Sequence, residues 1–231
     1  MDFYVGTSGW SYAWNEKKSL DWYVSDSGLN AVELNGSFYR YPSASAVESW
    51  VRKSKDLRWS VKVNHAITHN FKLGENALEF WKRFHDLFKP LESKVDFFLF
   101  QLPPSTTPKS MVRIEEFFKK TSLGERFALE VRSSEWFKEE TVKWASNLGL
   151  TLVSVDSPDF PRDLFNTSGN VYVRMHGRKD WYSYRYSLEE LEEVAKKIIA
   201  RKPERVYLFF NNDHAMLENA REMLRILRER K

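Results

Sequence analysis

Eight short runs of β-branched and aromatic residues, recurring about every 29 residues, constrain the fold of this chain more than any other feature. The runs are Phe3–Thr7, Ala31–Asn35, Trp59–Asn64, Val95–Leu102, Phe127–Arg132, Thr151–Asp156, Val171–Gly177 and Val206–Asn212. Segments with helical periodicity lie between most of them, and Ser45 with Glu48 and Ser187 with Glu190 have the spacing of capping boxes. Strands that each follow a helix pair in parallel through right-handed crossovers, and eight such units close into a barrel.

We therefore predict an α/β fold, a single (β/α)₈ TIM-type barrel that occupies residues 1–231 as one domain. An open, doubly wound sheet is the alternative. No G-x-G-x-x-G or G-x-x-x-x-G-K-[ST] motif follows the first strand, and eight units suit closure better. The sixth βα connection is expected to be irregular, because Pro158 and Pro161 interrupt any helix between Asp156 and Gly169.

Composition excludes several classes of protein. The chain has no cysteine, which excludes disulfides, thiol nucleophiles and cysteine-bound zinc or iron–sulfur centres. Its 36 basic and 32 acidic residues are mixed, so the net charge of +4 makes nucleic-acid binding less expected than small-molecule binding. No apolar run reaches the roughly 18 residues of a membrane span, and the first residues lack a signal-peptide pattern. A cytoplasmic protein with no membrane association is expected.

Alternation along the strands predicts a polar lumen, since side chains of a barrel strand point in turn toward the helices and into the lumen. If the apolar positions face the helices, the inward set is Glu33, Asn35, Ser60, Lys62, Asn64, Gln101, Glu130, Arg132, Ser154, Asp156, Arg174 and His176. On the last strand, the choice between Asn211 and Asn212 stays open. The polar residues gather at the C-terminal strand ends, where barrel enzymes build their active sites.

Aromatic residues follow several of these strands in the loops that would surround such a pocket. Those singled out as rim candidates are Trp10, Tyr12, Tyr39 and Tyr182. Their ring faces suit stacking on a sugar or a nucleobase. The alternative is that they cover hydrophobic surface, in a chain that is 16% aromatic.

Ordered motifs along nearly the whole chain resemble the YecE-like family, domain of unknown function 72. They are Gly6-Thr7-Ser8-Gly9-Trp10-Ser11-Tyr12, Glu33-Leu34-Asn35 with Phe38-Tyr39 and Pro42, Lys62 with Ile67-Thr68-His69, Gln101-Leu102-Pro103-Pro104, Glu130-Val131-Arg132 with Trp136, Asp156-Ser157-Pro158, Tyr172-Val173-Arg174-Met175-His176-Gly177 with Tyr182 and Tyr186, and Phe209-Phe210-Asn211-Asn212 with Asn219. The resemblance implies a TIM-type barrel with a shared pocket at these positions. It implies no reaction and no residue roles.

The residue types in the predicted pocket point to acid–base chemistry on an anionic ligand. Neighbouring charges and burial can separate the pKa values of carboxylates in one pocket, and a histidine can carry a proton. The catalytic candidates are Glu33, Glu130, Asp156 and His176. The substrate-binding candidates are Lys62, Asn35, Gln101, Arg132, Arg174, Asn211, Asn212, Trp10, Tyr12, Tyr39 and Tyr182. Guanidinium groups bind phosphate or carboxylate bidentately. We expect an enzyme acting on a phosphorylated or carboxylated sugar- or nucleotide-like molecule, by hydrolysis, elimination or isomerisation.

Four alternatives stay open at this point. A divalent metal could bind the carboxylates and His176, but two arginines would repel a cation, so a metal is less expected than none and the cofactor stays undetermined. The charged residues could form a structural network, with Glu33 paired to Lys62 and Glu130 to an arginine. Lys62 could instead form a Schiff base. Finally, the basic pI and the arginines of the last helix would suit a non-catalytic protein that binds nucleic acid or another ligand. The oligomeric state is not predicted.

Overall fold

In the computed structural model, which describes residues 1–230, nine parallel strands form one sheet of order β6-β5-β4-β3-β2-β1-β9-β8-β7. The strands are β1 (Asp2–Thr7), β2 (Ala31–Leu34), β3 (Arg58–Lys62), β4 (Val95–Gln101), β5 (Phe127–Glu130), β6 (Thr151–Leu152), β7 (Ser154–Asp156), β8 (Asn170–Met175) and β9 (Arg205–Phe210). All eight predicted strands are present, and the sixth is divided at Val153. Its first half pairs with β5 and its second half with β8, so the sheet runs round into a nearly closed barrel. The predicted single α/β barrel is confirmed.

Helices surround the barrel between successive strands. They are α1 (Leu20–Asp26), α2 (Gly36–Tyr39), α3 (Ala44–Lys53), α4 (Ala77–Phe88), α5 (Met111–Thr121), α6 (Glu139–Leu148), α7 (Leu188–Ala200) and α8 (Met216–Glu229). The capping box predicted at Ser187 and Glu190 is present at the start of α7. The box predicted at Ser45 is not: Ser43 caps α3 and accepts a hydrogen bond from the backbone of Ala46, because the helix begins one residue before Ser45.

The connection between β7 and β8 is irregular, as predicted, and contains no helix in residues 157–169. It packs on the outer face of the divided strand in place of a helix. The backbone amide of Phe165 donates to Ser154 Oγ at 2.9 Å, and Thr167 Oγ1 accepts from the backbone amide of Leu152 at 2.9 Å. Side-chain hydroxyls thus accept from backbone amides of the loop and of the divided strand.

The barrel has two apolar regions. The larger one lies between the strands and the helices. The smaller one fills the lumen and consists of Ala31, Phe97, Leu99, Ala128, Val153, Val155, Tyr172, Tyr207 and Phe209. The charged residues lie beyond this inner cluster, toward the C-terminal strand ends. Apolar side chains therefore fill the N-terminal part of the lumen, and polar side chains line its C-terminal part. No helix within residues 1–230 is long and apolar enough to cross a membrane. The cytoplasmic location remains a prediction.

Candidate functional site

The strand register brings the predicted charged residues together inside the barrel. Residues paired in register on neighbouring parallel strands point to the same face of the sheet. Lys62 pairs with Leu99, which belongs to the inner cluster, so Lys62 faces the lumen. Gln101 pairs in register with Glu130. Glu33 and Arg174 meet across the lumen through direct hydrogen bonds. The C-terminal half of the barrel therefore holds a compact group of ionisable side chains.

Asp156 corrects the predicted set, because it does not face the lumen. It pairs in register with Met175, whose side chain packs toward the helices, and its neighbour Val155 lies in the inner cluster. Asp156 instead accepts hydrogen bonds from Tyr186 (2.9 Å) and Arg178 (3.2 Å) on the outer side. The prediction assumed that valines always face the helices, but the lumen of this barrel also needs apolar residues to fill it. Burial raises the pKa of Asp156, and the charge of Arg178 opposes this rise.

The last strand, where the sequence left the choice open, directs Asn211 toward the pocket. The Asn211 amide lies 3.3 Å from His176 Nδ1. Asn212 points away: it donates to the backbone carbonyl of Tyr184 and to Asn219 Oδ1, at 2.7 and 2.9 Å. Asn212 therefore supports the loop before α7 and does not line the pocket.

Glu33 and Arg174 form the centre of the buried network. Arg174 donates to both carboxylate oxygens of Glu33, with Nη2 at 2.6 Å from Oε1 and Nε at 3.0 Å from Oε2. Ser8 (3.0 Å), Asn35 (3.1 Å) and Tyr172 (2.6 Å) also donate to this carboxylate. A buried charge costs several kcal/mol unless it is paired and hydrogen-bonded, and here both conditions are met. Glu33 is consequently held in one position.

Glu130 links the two arginines. Arg174 Nη1 lies 2.5 Å from Glu130 Oε2, and Arg132 Nε donates to Glu130 Oε1. Burial alone would raise the pKa of Glu130, but the charges of Arg132 and Arg174 outweigh it and hold this pKa well below the usual range of a carboxyl group. Glu130 therefore stays ionised at neutral pH and serves as a fixed counter-ion.

His176 is fully buried beside this network. Burial, followed by the charges of Arg174 and Arg132, holds its pKa well below the usual value, so the ring is neutral. Arg132 Nη2 lies 3.3 Å from His176 Nε2, and because a guanidinium only donates, Nε2 is the acceptor of this contact. On the other side of the ring, Asn211 Nδ2 lies 3.3 Å from Nδ1. His176 thus orients Arg132, whose guanidinium also covers the Trp181 ring at 4.8 Å.

Lys62 is the exception among these charged groups. Its side chain is 9% exposed, and within residues 1–230 no carboxylate oxygen lies within 4.0 Å of Nζ and no hydrogen bond is formed to it. The ammonium instead lies 4.2 Å from the centre of the Phe38 ring. Burial, followed by the charge of Arg174, lowers the pKa of Lys62 from 10.5 to about 7, and the negative charges of Glu130 and Glu33 only partly oppose this. Lys62 therefore changes charge near neutral pH.

A cavity of about 390 Å³ opens above Lys62 at the C-terminal mouth of the barrel. It is lined by Tyr12, Asn35, Tyr39, Lys62, Tyr182, Asn211, Asp213 and Met216. Its rim carries two unusually exposed rings, Tyr39 at 75% and Tyr182 at 45%. Tyr182 adopts a φ of 64° and donates its backbone amide to the carbonyl of His176 at 2.8 Å, which places it over the pocket.

Of the four aromatic rim candidates, Trp10 lies elsewhere. Its ring packs edge-on against Trp50 of α3 and Trp59 of β3, with centroids 5.7 and 5.6 Å apart, between the strands and the helices. Tyr12 does line the cavity, and its hydroxyl donates to the carbonyl of Ser8 at 3.0 Å. Trp10 therefore fills the outer core, which was the alternative considered for each ring.

Two further features bear on the metal and nucleic-acid alternatives. Among the side chains of residues 1–230, no three His, Asp or Glu residues are grouped as metal ligands. On α8, Arg225 is bonded to Glu222 and Glu229, and Arg221 donates to the carbonyls of Asp26 and Ser27. These two arginines belong to local surface interactions.

A profile of the family described as "Protein of unknown function DUF72" matches residues 4–231. The chain belongs to the DUF72 family. A DUF72 protein from Thermotoga maritima MSB8 has 29% identity and a TM-score of 0.86, over 99% of this chain and 100% of its own. A second one, from Enterococcus faecalis V583, has 21% identity and a TM-score of 0.83, over 98% of each chain. The family expected from the sequence is confirmed.

More distant likeness extends to the fold alone. A D-psicose 3-epimerase from Clostridium cellulolyticum H10, solved with D-tagatose, has 12% identity and a TM-score of 0.61, over 99% of both chains. It shows that this DUF72 chain has the barrel architecture of an enzyme without indicating a shared reaction. A search of curated proteins finds no match to the sequence.

Several pocket residues of this DUF72 chain were not predicted from its sequence. Asp213 lies in the loop after the last strand and Met216 is the first residue of α8, and their position after a strand end was the available signal. Tyr172 was assigned to no role, although it lies two residues before Arg174 and therefore shares its face. Phe38, an aromatic residue beside Tyr39, has its ring against the Lys62 ammonium, and nothing in the sequence indicates this contact.

Proposed function

We propose that this barrel is an enzyme that binds a small anionic, sugar-like molecule at its C-terminal mouth and transforms it by acid–base chemistry. The observation that carries the proposal is Lys62, a nine-tenths buried amine without an ion-pair partner in residues 1–230, beneath an open cavity. Packing alone would be served by an apolar side chain at this position. Unpaired buried charge is uncommon outside functional sites because it destabilises the fold.

The charge of the lumen favours an anion. In the buried network, Arg132, Arg174 and protonated Lys62 face two carboxylates, Glu33 and Glu130, which leaves one positive charge in excess there, while Asp213 adds a carboxylate at the wall of the cavity. Arg132 uses Nε for Glu130 and Nη2 for His176, and its Nη1 has no hydrogen bond to any residue in the described part of the chain. Arg132 Nη1 and Lys62 Nζ together offer donors to a phosphate or a carboxylate.

The rim favours a ligand with hydroxyl groups and a ring or short carbon chain. Tyr39 and Tyr182 present ring faces and hydroxyl groups at the mouth, and Asn35 and Asn211 present amides deeper in the cavity. This combination of aromatic faces and amides suits a sugar-like molecule. A cavity of about 390 Å³ has room for a ligand of that size.

Within this proposal, the ionisable residues divide their roles. Lys62 is the proton-transfer group, since its pKa of about 7 suits both uptake and release of a proton at neutral pH. Glu33 and Glu130, predicted as catalytic, are assigned to holding the arginines, because their oxygens are already hydrogen-bonded. His176 orients Arg132, and Asp156 acts outside the pocket.

A matched ligand panel tests the binding part of the proposal. We expect glycerol 3-phosphate, glucose 6-phosphate or gluconate to raise the melting temperature at concentrations where glycerol and glucose do not. Saturation to 100 times Kd would add about 2.7 kcal/mol of stability. Lys62→Met should remove the effect and Lys94→Met should keep it, because Lys94 is held by the carbonyls of Val51 and Lys55. Equal responses to charged and neutral members would contradict the proposal.

The enzymatic part needs turnover. Each anion that stabilises the protein is incubated with it and followed by proton NMR. We expect conversion by the wild-type protein and a loss of at least about 100-fold in Lys62→Met, in line with the usual contribution of a general acid or base. Tight binding of several anions without conversion of any would favour a binding protein instead.

A further inference from the structure

Lys62 has the environment of a nucleophilic amine as well as of a proton carrier. We infer that its Nζ attacks a carbonyl carbon of the substrate and forms an imine, so that the pocket takes aldehydes or ketones that carry an anionic group. This inference rests on the proposed function, because it uses the same pocket and the same ligand charge.

The combination of burial with the lack of a partner within residues 1–230 distinguishes Lys62 from the lysines of the surface. Lys53, Lys119 and Lys197 each lie within 2.7 Å of a carboxylate oxygen on the surface. Lys94 donates to two backbone carbonyls. Lys62 has neither kind of partner in the described chain and contacts the face of Phe38. A nitrogen without a hydrogen-bonded counter-ion can release its proton and present its lone pair to a ligand.

The charges facing Lys62 keep the amine partly neutral. Arg174 and Arg132 repel its positive form, Glu130 and Glu33 attract it, and His69 faces it from the π-helical turn Ala66–Asn70. The two carboxylates are already neutralised by the two arginines, so burial decides the balance. With a pKa of about 7, the Lys62 amine is present in both its charged and its neutral form near neutral pH.

The geometry separates the nucleophile from the anion-binding group. Lys62 lies at the end of β3, whereas Arg132 follows β5 and is fixed by Glu130 and His176. Arg132 Nη1, which forms no hydrogen bond within residues 1–230, is the donor that the inference assigns to a phosphate or carboxylate while Lys62 Nζ meets the carbonyl of the same molecule. The polar cavity at the mouth gives the carbonyl compound access to Lys62.

The step balances without a further reactant. The nitrogen lone pair forms a bond to the carbonyl carbon, and the carbonyl π electrons move to oxygen to give a carbinolamine. The carbon–oxygen bond then breaks, and the oxygen leaves as water with the two hydrogens that the neutral amine loses. A proton from solvent converts the imine to an iminium ion, which withdraws electrons from the neighbouring carbon–hydrogen or carbon–carbon bond.

Reductive trapping tests the inference. The protein is incubated with sodium cyanoborohydride and, in separate samples, dihydroxyacetone phosphate, pyruvate and neutral dihydroxyacetone, then analysed by intact mass and peptide mapping. We expect a single adduct on Lys62 that forms faster with the two anionic probes, with a rate that rises with pH through a midpoint near 7. Lys62→Arg should abolish it, and Lys94→Arg should retain it. Absence of an adduct with every probe, or labelling spread over surface lysines, would overturn the inference.

Two variants separate the failure of this inference from the failure of the proposed function. Lys62→Arg keeps a positive charge but cannot form an imine. If it is stabilised by glycerol 3-phosphate while the wild-type protein forms no adduct, the imine is rejected and the anion pocket stands. If Lys62 is trapped equally by neutral and anionic probes and no anion stabilises the protein, the amine chemistry stands and the anion pocket is rejected.

Discussion

At the scale of single residues, the pocket is defined by the distribution of partners around the lumen. Arg174 forms ion pairs with both Glu33 and Glu130, so Lys62 has no carboxylate partner within residues 1–230. An arginine can bridge two carboxylates because its guanidinium offers five donors in one plane, whereas lysine ends in a single ammonium group. The unpaired amine is thus a consequence of the arginine network.

The unpaired amine should lower stability in a pH-dependent way. The pKa of Lys62 is about 7 in the folded protein, below the 10.5 of an exposed lysine, so the unfolded chain binds more protons between these values and wild-type stability rises with pH there. Lys62→Met lacks this penalty. We expect its advantage over the wild-type protein to be larger at pH 6 than at pH 9 by roughly 2–3 kcal/mol.

Urea unfolding of both proteins at the two pH values measures this difference. Lys94→Met serves as the control for the loss of a lysine whose ammonium is hydrogen-bonded to backbone carbonyls. An advantage of Lys62→Met that is independent of pH would contradict the account.

Arg174 should be the most sensitive charged position for stability. Arg174→Met leaves the buried Glu33 without a cation and removes one of two from Glu130, which should cost about 3–5 kcal/mol in urea unfolding. Arg225→Met is the control, since its partners Glu222 and Glu229 are on the surface, and its effect on unfolding should be far smaller. Similar losses in the two variants would argue against a buried network.

The sequence predicted which residues enter the lumen better than it predicted their pairing. Alternation along β2, β3, β5 and β8 follows from local geometry, so Glu33, Lys62, Glu130 and Arg174 could be assigned to one face. Glu33 was considered a partner for Lys62, but it binds Arg174 from the opposite side of the barrel. Which charged groups pair depends on side-chain length and on the positions of their strands around the barrel. A local sequence pattern gives neither of these.

At the scale of elements, the divided sixth strand explains the error at Asp156. Val153 and Val155 point inward because the inner cluster needs apolar residues, and Ser154 and Asp156 are left on the outer face. That face has no covering helix in residues 157–169, so polar side chains are tolerated there and bind the loop. The alternation of apolar and polar residues correctly separated the side chains of this strand into two sets. Which set faces the lumen depended on the absence of a covering helix.

Asp156 and Tyr186 should stabilise the loop between β8 and α7. The Tyr186 hydroxyl donates to Asp156 and accepts from the backbone amide of Gly177 at 2.8 Å. Tyr186→Phe leaves the buried Gly177 amide without its acceptor and removes one of the two side-chain donors to Asp156, and we expect a loss of about 1–3 kcal/mol in thermal unfolding. We also expect weaker binding of the stabilising anion, since this loop carries Tyr182.

The matched control for this prediction is Tyr184→Phe. It removes one hydrogen bond, to Glu190, from a partly exposed hydroxyl and should change stability by less than about 1 kcal/mol. If Tyr186→Phe left both stability and anion binding unchanged, the outer network would have no part in shaping the pocket.

At the scale of the whole molecule, the residues that stabilise the barrel and those proposed to bind a ligand lie at different levels along its axis. The lower lumen is packed with apolar residues, and the upper lumen holds the arginine network and Lys62 beneath an open mouth. The recurrence of strands and helices was enough to predict this architecture, because eight units can bury their apolar faces by closing. The reaction depends on the few residues at the mouth, which fold does not determine.

The central claim is that Lys62 is a buried amine that changes charge near neutral pH, and its pKa is the most direct test. Nitrogen-detected NMR of the lysine side chains, with Lys62→Arg to assign the signal, follows the protonation of Nζ from pH 5 to pH 11. The account predicts a midpoint near 7 for Lys62. A midpoint near 10.5 for Lys62 would contradict it, because an amine that remains fully charged at neutral pH could neither exchange protons there nor form an imine.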